Sequence, residues 1–381
     1  MRIVILLLSS LCALISYAHA GCHGCCHGRT WTSVADSTSG ALVDNFWNAD
    51  KGFFNLRSNE NENSGINYWP QAHALDVVVD AYVRTGDSRY AAMFDKWLEG
   101  IRLQNGEGSG YQNDFYDDEA WVALTMTRLY NVSQDKKYLD VARGLYDDIA
   151  KGWNTEYAKG GVAWRKSQPW SKNACINGPM SLLAFKLYKA TGDRDYADFG
   201  LKVYRWLREN LIDLSTGFVA DNIDGRSGTV NSWSFSYNQG TAMAAALEAY
   251  RYSGTPDYLA DARLVAQYGI TSPKFVDAAS GVMLYEDGSV PVEGDGALFR
   301  AVFFRYLCDM ATAAEIPAET RAGYVRTMTV SADYLRANTD SRGCLALFHP
   351  DWRKVVKSGE SGTLNAQVSV CTLMEALGRM E

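Results

Sequence analysis

Ala81-Tyr82-Val83-Arg84-Thr85-Gly86-Asp87-Ser88-Arg89-Tyr90 is the stretch on which the fold turns. It reads as a helix end, a tight turn and a new helix. Gly86 tolerates the left-handed position just past a helix, and Asp87 can accept from the free amides that open the next one. The unit recurs. One further copy is Arg128-Leu129-Tyr130-Asn131-Val132-Ser133-Gln134-Asp135-Lys136-Lys137-Tyr138, and another is Lys186-Leu187-Tyr188-Lys189-Ala190-Thr191-Gly192-Asp193-Arg194-Asp195-Tyr196. A fourth is Ala249-Tyr250-Arg251-Tyr252-Ser253-Gly254-Thr255-Pro256-Asp257-Tyr258. The closing tyrosines are 48, 58 and 62 residues apart, the signature of stacked helical hairpins. Each tyrosine is expected to pack back on the helix before its turn.

Between these turns the apolar residues keep a helical period. Leu75, Val78, Val79, Tyr82 and Val83 fall on one face, as do Met180, Leu183, Ala184, Leu187 and Tyr188. Extended through the chain, the pattern predicts about twelve helices, near 34–48, 71–84, 89–103, 118–130, 136–150, 177–190, 195–210, 240–252, 257–269, 296–314, 318–337 and 362–378. Twelve helices in six hairpins imply an all-α (α/α)6 barrel, a toroid of six helical hairpins, with an open solenoid as the alternative. In a toroid the long Gly-, Asn- and Trp-bearing loops between hairpins meet at one end and build a site.

The bulk numbers fit a single helical domain over 34–381, or two tightly fused halves. Of 381 residues 47% are hydrophobic, and eight prolines are scattered with no charged or Pro-rich linker. Lys and Arg number 37 against 44 Asp and Glu, a net charge of −7. That balance excludes nucleic acid as a partner, since phosphates need a basic surface. Residues 1–20 read as a signal peptide: Arg2, an apolar run over 3–15, and the small-x-small site Ala18-His19-Ala20. The chain is therefore expected to be exported, to the periplasm, the cell surface or the medium. No later stretch is apolar enough to span a membrane, and Met374 to Glu381 lacks the tail of a lipid anchor. Residues 21–33 form a Cys/His/Gly-rich leader, for which a zinc site or a lipidated Cys22 competes with a plain flexible tail. Cleavage after Ala20 leaves seven cysteines, so at least one is unpaired or modified.

The chemistry concentrates in Asn113-Asp114-Phe115-Tyr116-Asp117-Asp118-Glu119-Ala120-Trp121, where a loop bearing Gly106, Gly108 and Gly110 runs into a helix. Glycosidic cleavage needs two carboxyl groups, one to protonate the leaving oxygen and one to attack or to activate water. Consecutive residues at a helix start diverge by about 100°. Their carboxyls can then stand roughly 5–6 Å apart, the retaining rather than the inverting spacing. Helix capping by acids is the plainer explanation of such a pair, and Asp147-Asp148 repeats it with no evident role. Trp69, Trp164, Trp170 and Trp233 sit near helix starts and off the apolar stripes, where aromatic faces can stack on sugar rings. No Gly-x-Ser-x-Gly elbow or Gly-Lys-Ser/Thr loop is present. Only His73 and His349 lie in the folded part, too few for a histidine metal centre. No metal and no cofactor is expected, and His73 reads as a packed helix residue.

Tyr116-Asp117-Asp118-Glu119-Ala120-Trp121-Val122-Ala123-Leu124 resembles the Asp-Asp motif of glycoside hydrolase family 76, the endo-α-1,6-mannanases. Other blocks resemble the family in order: Tyr68-Trp69-Pro70-Gln71-Ala72-His73-Ala74, Gly160 to Arg165, Ile176-Asn177-Gly178-Pro179, Phe235-Ser236-Tyr237-Asn238-Gln239-Gly240, and Phe299 to Leu307. The first of these is similar to enzymes of Bacteroides-type bacteria. The resemblance implies an (α/α)6 barrel and a retaining mechanism with Asp117 as nucleophile and Asp118 as general acid/base. It nominates Trp69, Gln71, Trp121, Asn177, Asp221, Tyr237 and Asn238 for substrate binding. Val122 stands where the family often has a second Trp. An α-1,6-mannan or manno-oligosaccharide substrate and a monomer are expected. The rivals are a transglycosylase of the same family, a non-catalytic mannan-binding protein and an epimerase on the same barrel.

Overall fold

The computed structural model describes residues 30–58, 68–105, 110–288, 293–337, 347–357 and 359–381. The signal, most of the leader, Gly106, Gly108 and Cys344 lie outside them. Twelve helices run along the described chain: α1 (Trp31–Phe46), α2 (Tyr68–Thr85), α3 (Ser88–Gln104), α4 (Tyr116–Ser133), α5 (Lys136–Ala150), α6 (Ala174–Thr191), α7 (Arg194–Asn210), α8 (Ser236–Ser253), α9 (Pro256–Thr271), α10 (Gly296–Thr312), α11 (Ala318–Ala337) and α12 (Leu364–Met380). The even-numbered helices form a closed inner ring, each touching the next and α12 returning to α2. Each odd-numbered helix packs outside a ring member. Five hairpins are consecutive in the chain, and the sixth joins its two ends, α1 on α12. The ring closes, so the toroid holds and the solenoid does not.

The repeated turns behave as their residues dictate. Asp87, Asp135 and Asp193 each accept from the amide two residues on. Gly192 and Gly254 end α6 and α8 at φ 77° and 69°, and Gln134 takes the same left-handed position after α4 at φ 59°. Thr255 makes no side-chain cap; Pro256 starts α9 instead. The tyrosines do something other than expected. Their hydroxyls reach the outer helix of the preceding hairpin: Tyr138 bonds Asp95, while Arg143 donates to Tyr196 and Arg205 to Tyr258, both at 3.1 Å. The repeat therefore stitches neighbouring hairpins together.

Inner helices are buried almost all round, as a ring enclosed on both sides requires. Gly240 is one point where two of them approach closely: a Cβ there would lie 2.9 Å from the Phe303 Cα. Val83, placed by its period on the apolar stripe, is 58% exposed, because α2 emerges from the ring near its end. Lower in the ring Asp80 accepts from Arg128, Arg305 and Arg379 at 2.5, 2.8 and 3.0 Å, tying α2, α4, α10 and α12. These arginines hold the Asp80 carboxyl well below its usual range despite its burial.

Two boundaries differ from the sequence reading. The first helix begins at Trp31, inside the segment read as leader, because Thr30 accepts from the Ser33 amide and caps it. Inner helices α2, α4, α6 and α8 begin at Tyr68, Tyr116, Ala174 and Ser236, a few residues before the apolar period sets in. Their extra first turns reach into the loop end of the barrel. After α1 a short antiparallel ribbon pairs β1 (Trp47–Asn48) with β2 (Phe53–Phe54), and a small antiparallel sheet lies at the loop end, with β4 (Asn222–Asp224) between β3 (Ser171–Asn173) and β5 (Thr229–Asn231).

Candidate active site

A cleft of about 470 Å³ opens at the loop end of the ring. Its walls are Trp69, Phe115, Trp121, Trp164, Trp233, Phe235, Tyr237 and Phe299, with Asp117, Asp118, Asp221 and Asp295 among them. No Lys, Arg or His lines it among the described residues. Such a site suits a neutral, hydroxyl-rich ligand with ring faces to stack.

Asp117 and Asp118 occupy the first turn of α4, whose cap position, Phe115, offers no side-chain oxygen. A loop fixes this turn. Tyr116 N donates to Trp164 O at 3.0 Å, Lys166 N to Asp114 O at 2.8 Å, and the Arg165 guanidinium grips Asp114 while lying 4.2 Å over the Phe115 ring. Beneath the pair, Glu119 accepts from the Asn113 amide and from Lys166, and Lys166 also pairs with Asp148. Half of the Asp147-Asp148 pair thus braces the start of α4 from α5.

The two carboxyls have unlike surroundings. Asp117 Oδ2 accepts from the Trp164 indole at 3.1 Å and from the Cys175 thiol at 3.2 Å. Burial raises Asp117 to about 6, and those donors with the amides of the helix start hold it from rising further. Asp118 has no such donors. Burial first, then the charge of Asp117, pushes it well above the carboxylate range. One group is thus prepared as the anion and the other as the acid.

Of the seven nominated binding residues, four line the cleft. Trp69 donates to Asp295 at 3.1 Å, and Tyr237 stacks on Phe299 with ring centres 4.0 Å apart. Trp121 forms part of the wall, and Asp221 projects from the loop before β4 with its pKa raised to about 6 by burial. Asn238 stands behind Asp221 and donates to it at 3.2 Å. His73 packs between Trp69 and Trp121, as a helix histidine should.

Gln71 and Asn177 do not belong to the cleft. The Gln71 amide closes on both backbone atoms of Phe54, each at 2.8 Å, and Asn177 does the same to Val162 while also donating to Asn173 O. Both side chains are fully buried. Their matched blocks reflect a backbone clamp, not a sugar contact. Gln71→Met strips Phe54 of two buried partners and is expected to cost about 2–4 kcal/mol of stability, read by chemical denaturation. Its kcat should stay near that of the unmodified chain at temperatures where the variant remains folded. A fall in kcat with unchanged stability would put Gln71 back on the substrate.

Trp170 lies under Arg226 and away from the cleft. Asp295, Phe299 and Cys175 were missed as site residues. Asp295 opens α10 without any capping bond, a hint that its carboxylate serves something else. Phe299 looked like one more apolar residue on a late helix.

Comparison with known proteins agrees with this geometry. The chain matches the model of glycosyl hydrolase family 76 over residues 30–380. An α-1,6-mannanase of Salegentibacter sp. HEL1_6, solved as an inactive variant with two consecutive aspartates replaced by alanine and in complex with α-1,6-mannotetrose, is 32% identical. That likeness covers 93% of this chain and all of the other, with a TM-score of 0.84. A protein of Listeria innocua is 28% identical over 92% of this chain and 98% of its own, with a TM-score of 0.80. The mannan endo-1,6-α-mannosidase DCW1 of Candida glabrata is 26% identical over 339 residues, 81% of this chain and 73% of its own. A closed ring of six hairpins, a half-buried Asp-Asp pair at the start of an inner helix and a family match over nearly the whole length converge: the chain belongs to glycosyl hydrolase family 76, and it is a glycoside hydrolase.

Proposed function

We propose that this chain is a retaining endo-α-1,6-mannanase in which Asp117 is the nucleophile and Asp118 the general acid/base. The observation that carries the assignment of roles is the asymmetry of the pair. Asp117 Oδ2 accepts two side-chain donors, whereas Asp118 stands half-buried beside a negative charge with none. In the first step Asp118 gives its proton to the glycosidic oxygen as the C1–O bond breaks, and Asp117 forms the new bond to C1. In the second, Asp118 takes a proton from water, the water oxygen bonds C1, and Asp117 leaves as the carboxylate. The aromatic walls stack the pyranose rings, and Asp221, held by Asn238, accepts from a sugar hydroxyl.

The Salegentibacter enzyme, crystallised with α-1,6-mannotetrose, and the yeast endo-mannosidases support the choice of substrate. The cleft, free of lining cations among the described residues, fits an uncharged polysaccharide. The signal reading of residues 1–20 fits a substrate met outside the cell, and no helix among the described residues is long and apolar enough to cross a membrane. The direct test is incubation with debranched α-1,6-mannan, following product length and anomer by NMR. Shorter chains released first as the α-anomer are expected. Longer chains would mean transglycosylation. Binding without products would mean a lectin-like role, and a β-anomer would overturn retention.

A further inference from the structure

Besides its carboxylates the cleft holds one thiol. Cys175 is the second residue of α6, and the first turn of that helix is firmly held. Ala174 N donates to Asp221 O at 2.8 Å, and Asn177 clamps Asn173 O and the Val162 backbone. The side chain is 3% exposed and ends 3.2 Å from Asp117 Oδ2. That oxygen also takes the Trp164 indole, whereas Asp117 Oδ1 is buried without a hydrogen-bond partner. The side-chain donors therefore fall on one oxygen of the carboxylate and not on the other.

We propose that Cys175 is a positioning residue: its S–H, with the Trp164 N–H, holds Asp117 Oδ2 and so fixes the orientation of the carboxylate that attacks the anomeric carbon. The inference rests on Asp117 being the nucleophile. Burial and the adjacent Asp117 charge push the thiol well above its ordinary range, so the sulfur keeps its proton and acts as a donor, not as a rival nucleophile. The Tyr237 hydroxyl lies beside the sulfur, and Tyr237 is fixed by its stack on Phe299. A chain of contacts thus runs from α10 through α8 and α6 to the catalytic turn of α4. Nothing in the sequence marks this cysteine beyond its place between Asn173 and Asn177.

The experiment compares Cys175→Ala and Cys175→Ser with the unmodified chain on debranched α-1,6-mannan, recording kcat, KM and the pH profile of kcat/KM. Loss of a hydrogen bond to a charged group predicts that Cys175→Ala lowers kcat about ten- to a hundredfold, with KM little changed. Its acid limb should move to higher pH, because the Asp117 anion has lost a donor. Cys175→Ser restores a donor and should recover most of the rate and return the limb. Two outcomes overturn the proposal: Cys175→Ala with full activity and an unmoved limb, or a folded Cys175→Ser as impaired as the alanine variant, which would assign the residue to packing. If the alanine variant does not fold, the serine variant alone decides, and a loss beyond tenfold with intact folding refutes the donor role. Asp117→Asn measured alongside separates the two layers. Full activity there sinks the nucleophile assignment itself, whereas an inactive Asp117→Asn beside an unaltered Cys175→Ala sinks only the role of the thiol.

Discussion

Asp117→Asn is expected to lower kcat on debranched α-1,6-mannan by about four orders of magnitude, close to 5.5 kcal/mol of transition-state stabilisation. An amide at this position keeps the volume and can still accept from Trp164 and Cys175, so the cleft should retain its shape and KM should change little. What is lost is the anion that bonds C1. The same substitution should raise stability at neutral pH. In the folded chain Asp117 is raised from 3.8 to about 6 by burial. A carboxyl whose folded pKa is raised contributes stability at low pH that is lost as pH climbs through the folded value. Above about 6 the charged form therefore costs roughly 3 kcal/mol, and asparagine removes that cost. Calorimetry should show a higher Tm for Asp117→Asn at pH 7.5 and little difference near pH 4. An unchanged or lower Tm at pH 7.5 would mean that the carboxylate is better solvated than its burial indicates. For the unmodified chain, kcat/KM should fall on the acid side with an apparent pKa near 6, as the nucleophile takes up a proton.

Stability and function oppose each other at this turn, which bears on what could be read from the sequence. The fold was legible because the hairpin turns solve a local problem with local residues: Asp87, Asp135 and Asp193 cap, and Gly192 and Gly254 turn. Loop-end helix starts solve a different problem. Phe115, Asn173 and Phe235 stand at cap positions without capping, since the turns they precede are held by the neighbouring loops and serve the cleft. The helical period alone therefore placed these starts late. The site divides along the same line. Asp117 and Asp118 were visible as a pair, yet their spacing could not outweigh capping until the surrounding blocks were compared with a family. Gln71 and Asn177 came from the same blocks and proved to be clamps, because a buried amide bonds backbone as readily as it bonds sugar. Asp295 and Cys175 lie in no block that resembles the family, and Phe299 opens one without its residue type marking it as a cleft residue. Asp295 and Phe299 join the cleft only through ring closure, which sets α10 across it from α4, whereas Cys175 reaches Asp117 from the neighbouring inner helix, 58 residues along the chain.

Asp118→Ala is expected to lower kcat on mannan by about 10²- to 10⁴-fold, the usual span for loss of general acid/base catalysis. The defect should depend on the leaving group, which Asp117→Asn cannot imitate. A mannosyl alcohol departs poorly without a proton, whereas an aryl mannoside with an acidic phenol departs unaided. On such a substrate Asp118→Ala should show a burst of phenol followed by slow turnover, because Asp117 still attacks but no base activates water. Azide needs no base. It should accelerate that turnover and yield the α-mannosyl azide, the product of two inversions. Asp117→Asn with azide should instead give the β-azide by a single inversion. The azide anomer therefore reports which aspartate bonds carbon, independently of any rate. The charge of Asp117 also explains why one residue can serve as acid and then as base. Burial, with the Asp117 anion adding to it, raises Asp118 and keeps the proton on it. Once Asp117 is esterified that charge is gone, Asp118 falls, and it can take a proton from water. An α-azide from Asp117→Asn, or a β-azide from Asp118→Ala, would exchange the two roles and with them the reading of the donors on Asp117.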